Sequence, residues 1–139
     1  MSGKPSETPL FHQLQGEGEP LLLLNGVMMS GLAWGRCAEV IAQRMRVITC
    51  DFRGQLMTPG PAHSRIGDNA ADVAGLLDHL GLERVHVVGT SFGASVGVYL
   101  ALEAPERVAS FIPVAGAAFA DESLQALETT WGTKAREAA

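Results

Sequence analysis

The sequence predicts an α/β protein with a mostly parallel sheet and helices on both faces. Three observations point there. Short apolar runs at residues 21–24, 46–50, 85–89 and 110–114 are separated by stretches long enough to hold helices, and strands alternating with helices build parallel sheets. Residues 21–24 are four leucines without a break, as expected of a strand covered on both faces. Ile66, Ala70, Val73, Leu77 and Leu80 recur at alternating steps of four and three, which is the single apolar stripe of an amphipathic helix.

The elements follow in order. Residues 1–9 are polar and contain proline, and read as a disordered lead-in. Residues 10–15 form an expected edge strand. The turn Gly16-Glu17-Gly18-Glu19-Pro20 then suggests a hairpin with residues 21–24. Asn25 to Gly31 breaks that strand, and a helix is expected over 32–44, burying Leu32, Cys37, Val40 and Ile41. Residues 46–50 form the next strand, ending in Asp51-Phe52-Arg53-Gly54. Pro59, Gly60 and Pro61 make 55–64 a loop. A helix over 66–80 stops at Gly81, a residue suited to the positive φ of a C-terminal cap. Residues 85–89 form a strand, 92–104 a helix stopped by Pro105, 110–114 a strand, and 121–138 a further helix.

Composition narrows the function classes. At 139 residues, 47% apolar and 18% charged, the chain suits one domain with a hydrophobic core. A formal net charge of −5 gives no electrostatic reason to bind nucleic acid or an anionic membrane. Cys37 and Cys50 lack metal-ligand spacing and read as small buried hydrophobes, so no metal and no cofactor is expected. No apolar export signal follows Met1, and residues 21–24 are too short to span a bilayer. The expected location is therefore cytoplasmic.

The chemistry centres on Gly89-Thr90-Ser91-Phe92-Gly93. This Gly-x-Ser-x-Gly joins a β-branched strand to a small-residue helix, the setting of a nucleophile elbow. Gly89 and Gly93 satisfy its need for small residues on either side, and Ser91 is the candidate nucleophile. The bland alternative makes Ser91 a helix N-cap in a tight turn. An oxyanion would need two donors: the Phe92 N–H at the helix N-terminus, and the Val27 N–H in the loop after residues 21–24. Phosphate binding is disfavoured, because neither Gly-x-Gly-x-x-Gly nor Gly-Lys-Ser/Thr occurs.

A base and an acid are harder to find. In this elbow the order is serine, then acid, then histidine, yet His12, His63, His79 and His86 all precede Ser91. Only His63, in the proline-containing loop, could approach the top of the sheet. Asp51 also precedes the serine, and its expected role is an arginine–carboxylate interaction shaping its loop. Asp121 or Glu122 is the sole arguable acid after the serine. The triad acid and histidine are thus not present in recognisable form.

With these residues in place, the chain resembles the α/β-hydrolase superfamily, in its branch of small bacterial esterases and enol-lactonases. The resemblance rests on Leu21-Leu22-Leu23-Leu24-Asn25-Gly26 with Trp34 downstream, Asp51-Phe52-Arg53-Gly54-Gln55, the helix end at 76–82, Val87-Val88-Gly89-Thr90-Ser91-Phe92-Gly93, and Ala104-Pro105-Glu106-Arg107-Val108. It implies that 10–118 is the N-terminal part of a hydrolase core and that 119–139 begins a cap. It also implies a small-molecule ester or lactone substrate, with Ser91 as nucleophile and Val27 and Phe92 as oxyanion donors. Two local departures stand out: Asn25-Gly26 replaces the usual His-Gly, and Gln55-Leu56-Met57-Thr58 replaces a Gly/Ser-containing turn. Family members are about twice as long, so an N-terminal fragment deficient in catalysis is expected, with self-association through an exposed edge at 110–114. The competing expectation is a non-catalytic relative that senses a small molecule or binds a partner.

Overall fold

The computed structural model describes residues 9–116 and 137 of the chain. The expected cap segment and helix beyond 118, with Asp121 and Glu122, lie outside the described residues apart from 137, as does most of the lead-in.

Five strands form one sheet: β1 His12–Gln15, β2 Pro20–Leu24, β3 Arg46–Cys50, β4 Val85–Thr90 and β5 Val108–Val114. Their spatial order is β1-β3-β2-β4-β5. β2 runs parallel to β3 and to β4, and β4 runs parallel to β5. The helices are α1 Gly35–Ile41, α2 Ile66–His79 and α3 Phe92–Glu103. Among the described residues, no helix is long and apolar enough to cross a membrane.

Alternate residues of β2 explain the two layers. Leu22 and Leu24 join Val73, Leu76 and Leu77 of α2 and Val96 and Leu100 of α3 in one core. Leu21 and Leu23 point the other way, packing with Ala38 of α1 and with Trp34 and Ile41. The unbroken leucine run is thus buried on both faces, as its pattern requires. The α2 stripe also forms as expected: Ala70, Val73 and Leu77 are buried, and Gly81 follows at φ +65°.

The expected hairpin does not form. β1 pairs antiparallel with β3, with His12 opposite Cys50 and Gln15 opposite Val47. Because β2 is apolar on both faces, it takes the centre of the sheet, which leaves the polar β1 to an edge beyond β3. The connecting turn reaches across through Gly16 at φ +74°, where a Cβ would strike the Ala42 and Met45 carbonyls.

The helix expected over 32–44 is shorter and differently faced. Ser30 Oγ accepts from Leu32 N–H and starts a 3-10 turn, Gly31–Trp34. Gly35, at φ +30°, then shifts the chain into α1. That break turns Ala38 and Ile41 toward the sheet and leaves Leu32, Val40 and Cys37 exposed. Cys50, by contrast, is buried.

α3 and β5 approach closely at Gly97, where a Cβ would run into the Phe111 ring. β5 begins at Val108, two residues earlier than expected, and is the edge strand of the described sheet. Its Ile112 and Val114 are exposed.

Candidate active site

β4 delivers Ser91 at the C-terminal end of the central strands. Ser91 has φ +51° and ψ −117°, a region that costs a residue with a Cβ roughly 1–3 kcal/mol. The turn closes on both sides. Ser91 N–H donates to the Val114 carbonyl at 2.9 Å, and Ser91 C=O accepts from Ala94 N–H at 3.0 Å. A Cβ on Gly93 would strike the Leu24 and Asn25 carbonyls, and one on Gly89 would strike the Gly93 carbonyl. Both glycines are therefore fixed by backbone contact. The Ser91 side chain makes no capping bond to α3, and the residue is exposed. The N-cap reading of Ser91 therefore lacks its defining hydrogen bond.

Phe92 opens α3, where the first N–H groups have no intrahelical partner and the helix dipole favours negative charge. Its ring stands edge-on to Phe52, with centroids 5.4 Å apart and planes at 89°, which ties the elbow to the loop after β3.

The Gly26–Val27 segment faces the elbow. A Cβ on Gly26 would stand 3.7 Å from Ser91 Cβ. Val27 is 63% exposed and Met28 94%. Beneath them the amides of Asn25 and Gln55 interlock. Asn25 is fully buried; its Nδ2 donates to the Cys50 carbonyl at 2.8 Å and to Gln55 Oε1 at 3.0 Å. Its Oδ1 accepts from Trp34 Nε1 at 3.1 Å. Gln55 Oε1 also accepts from Phe52 N–H at 2.9 Å. Gln55 Nε2 donates to the Gly26 carbonyl at 3.1 Å and the Val27 carbonyl at 3.3 Å.

Asp51 departs from its expected role. It is fully buried and accepts from Gly31 N–H at 2.6 Å, Ser30 Oγ at 2.8 Å and Met57 N–H at 2.9 Å. Arg53 pairs instead with Asp72 of α2, Nε to Oδ2 at 2.9 Å. Backbone donors reach Asp51 first, while Arg53 runs past Gly60 toward α2. Neighbouring Cys50 is a poor nucleophile: burial, helped by the Asp51 charge, pushes its thiol pKa up to about 12.

The four histidines are placed away from the elbow's needs. His63 Nε2 meets Asp72 Oδ2 at 2.8 Å, so it belongs to the Arg53 cluster. His12 Nδ1 is 2.9 Å from the Leu10 carbonyl, and its ring stands edge-on to His79. His86 Nδ1 lies 2.7 Å from Ser110 Oγ.

Sequence reasoning missed the Asn25–Gln55–Trp34 network. The two local departures, Asn25 and Gln55, were the signal, but only the fold shows that they touch.

A mostly parallel sheet flanked by helices, with a strained serine between strand and helix, defines a class that the comparisons bear out. The sequence model of the alpha/beta hydrolase fold matches residues 19–137. The chain belongs to this family. It is 37% identical to RutD of Azorhizobium caulinodans, named as a carbamate hydrolase, over 86% of this chain and 45% of that one. It is 31% identical to the 2-hydroxy-6-oxo-2,4-heptadienoate hydrolase of Pseudomonas putida, over 84% of this chain and 44% of that one. Among solved structures, a thermophilic esterase from Thermogutta terrifontis superposes with a TM-score of 0.77 at 30% identity, covering 81% of this chain and 42% of the esterase. Est816, described as an N-acyl homoserine lactone degrading enzyme, gives 0.74 at 30%, covering 77% and 42%. The chain thus spans less than half the length of these relatives.

Proposed function

We propose that this chain carries the nucleophile and oxyanion elements of a serine hydrolase acting on small ester or lactone substrates. The observation that supports this most is Ser91 itself, held at φ +51° without a capping bond. Strain without a local hydrogen bond to compensate suits a side chain presented to a ligand. The relatives' names for carbamate and heptadienoate hydrolysis, and the lactone-degrading neighbour, lend support to hydrolysis of a carbonyl substrate.

In this reading Ser91 Oγ attacks the substrate carbonyl as its proton passes to a base. The oxygen gains negative charge facing the Phe92 and Val27 N–H groups. The carbonyl–oxygen bond to the alcohol then breaks, and the alkoxide takes up the proton. Water then attacks the acyl-serine carbonyl, the bond to Oγ breaks, the water's proton returns to Ser91 and the carboxylic acid leaves. The base is the part no histidine of this chain fulfils, since all four are engaged elsewhere. The proposed consequence is a serine with weak turnover on its own. The sheet edge at β5, with Ile112 and Val114 exposed, is the proposed surface for self-association or for a polypeptide that supplies the base.

p-Nitrophenyl acetate hydrolysis tests this reading at matched concentrations of the chain and of Ser91→Ala. A small rate that Ser91→Ala removes is expected. A Ser91-dependent rate typical of complete esterases would contradict the missing base. Equal rates in the two proteins would favour a non-catalytic, ligand-sensing role.

A further inference from the structure

We infer that Gln55 is a positioning residue that sets the direction and polarity of the Gly26–Val27 peptide, with Asn25 holding Gln55 in place. The inference rests on the reading of Val27 as an oxyanion donor and adds the residue that aims it.

The Gln55 amide has one consistent orientation. Its Oε1 receives two N–H donors, from Asn25 and Phe52, and its Nε2 faces two carbonyls, of Gly26 and Val27. Turned over, it would set donors against donors and carbonyls against an oxygen. Asn25 is fixed in turn by the Cys50 carbonyl and Trp34 Nε1. The two side chains that depart from the family's pattern thus form one amide pair beneath the loop.

The consequence follows from peptide geometry. Gly26 C=O and Val27 N–H belong to one planar group and point in opposite directions when the bond is trans, and no cis peptide bond occurs among the described residues. Gly26 C=O is held by Gln55 Nε2 at 3.1 Å and by Met29 N–H at 3.2 Å. Val27 N–H must then point away from Gln55. The Gly26 position itself borders Ser91, whose Cβ lies 3.7 Å from where a Gly26 Cβ would stand. Two donors on the carbonyl also draw electron density through the peptide and strengthen its N–H as a donor.

Gln55→Glu separates this role from a merely structural one. It keeps an acceptor for Asn25 Nδ2 and Phe52 N–H, but removes the donor to Gly26 and Val27. Two measurements are made on the 15N-valine-labelled chain, with circular dichroism and urea melts to establish that each variant folds. The first is the Val27 amide cross-peak. The second is the rate of Ser91 modification by a small fluorophosphonate, with free imidazole as base. In Gln55→Glu the Val27 resonance should shift while that of Val47 in β3 stays in place, and Ser91 modification should slow by about tenfold, the kinetic equivalent of one hydrogen bond. Gln55→Met, which loses both sides of the amide, should show both changes and a lower melting midpoint.

An unmoved Val27 resonance in folded Gln55→Glu overturns the proposal, as does a moved resonance with Ser91 modified at the wild-type rate. If Ser91 is not modified even in the wild-type chain, the rate comparison drops out; a Val27 resonance that still shifts in Gln55→Glu then supports the aiming of the peptide by Gln55 and refutes Ser91 as nucleophile.

Discussion

Replacing Gly93 with valine is expected to destabilise the fold by more than about 3 kcal/mol, at the upper end of what over-packing costs. The cause is the identity of the obstructing atoms. A Cβ at position 93 would meet the carbonyls of Leu24 and Asn25. These belong to the central strand β2 and its exit, paired on one side with β3 and on the other with β4. Neither can retreat without opening the sheet. Gly97 is the informative comparison. There a Cβ meets the ring of Phe111, a side chain on the edge strand that can rotate aside. Gly97→Ala should therefore cost about 1 kcal/mol. Urea melts of the two variants test the ordering; equal midpoints would mean that the elbow is looser than its contacts imply.

Asp51→Ala is expected to cost about 3 kcal/mol or more. The buried carboxylate satisfies Gly31 N–H, Ser30 Oγ and Met57 N–H, and each donor left unpaired in the interior carries its own desolvation penalty. Asp51→Asn should recover part of the loss. Its Oδ1 still accepts from Gly31, while its NH2 group faces Met57 N–H, donor against donor. An order Asp > Asn > Ala in melting midpoint checks this account. If Ala matched Asp, the loops after β2 and β3 would have to be fixed by other contacts.

Much of the architecture was legible because its signals are local and redundant. The four leucines of β2, the stripe along α2, Gly81 after it, and glycines on either side of Ser91 each have a single physical explanation. The pairing of β1 was not legible. A turn rich in glycine marks a reversal, but which strand it returns to depends on how β2 satisfies both edges. α1 was misread because one residue, Gly35, rotates the helix and exchanges Leu32 and Val40 for Ala38 at the sheet. Asp51 was assigned to an arginine because charge attracts charge in sequence. In space, three donors lay closer, and Arg53 reached Asp72 instead. At the candidate site, motif and position point to Ser91, Phe92 and Val27. Gln55, Asn25 and Trp34 were not singled out as a network, because hydrogen bonds spanning 25 and 30 residues leave no spacing to read.

The most direct test of the account is mass analysis of the chain after exposure to a small fluorophosphonate, with and without imidazole as an external base. A single adduct on the peptide containing Ser91 is expected, formed faster with imidazole and absent in Ser91→Ala. A folded chain that acquires no adduct at Ser91 under either condition, or one modified equally in Ser91→Ala, would contradict it.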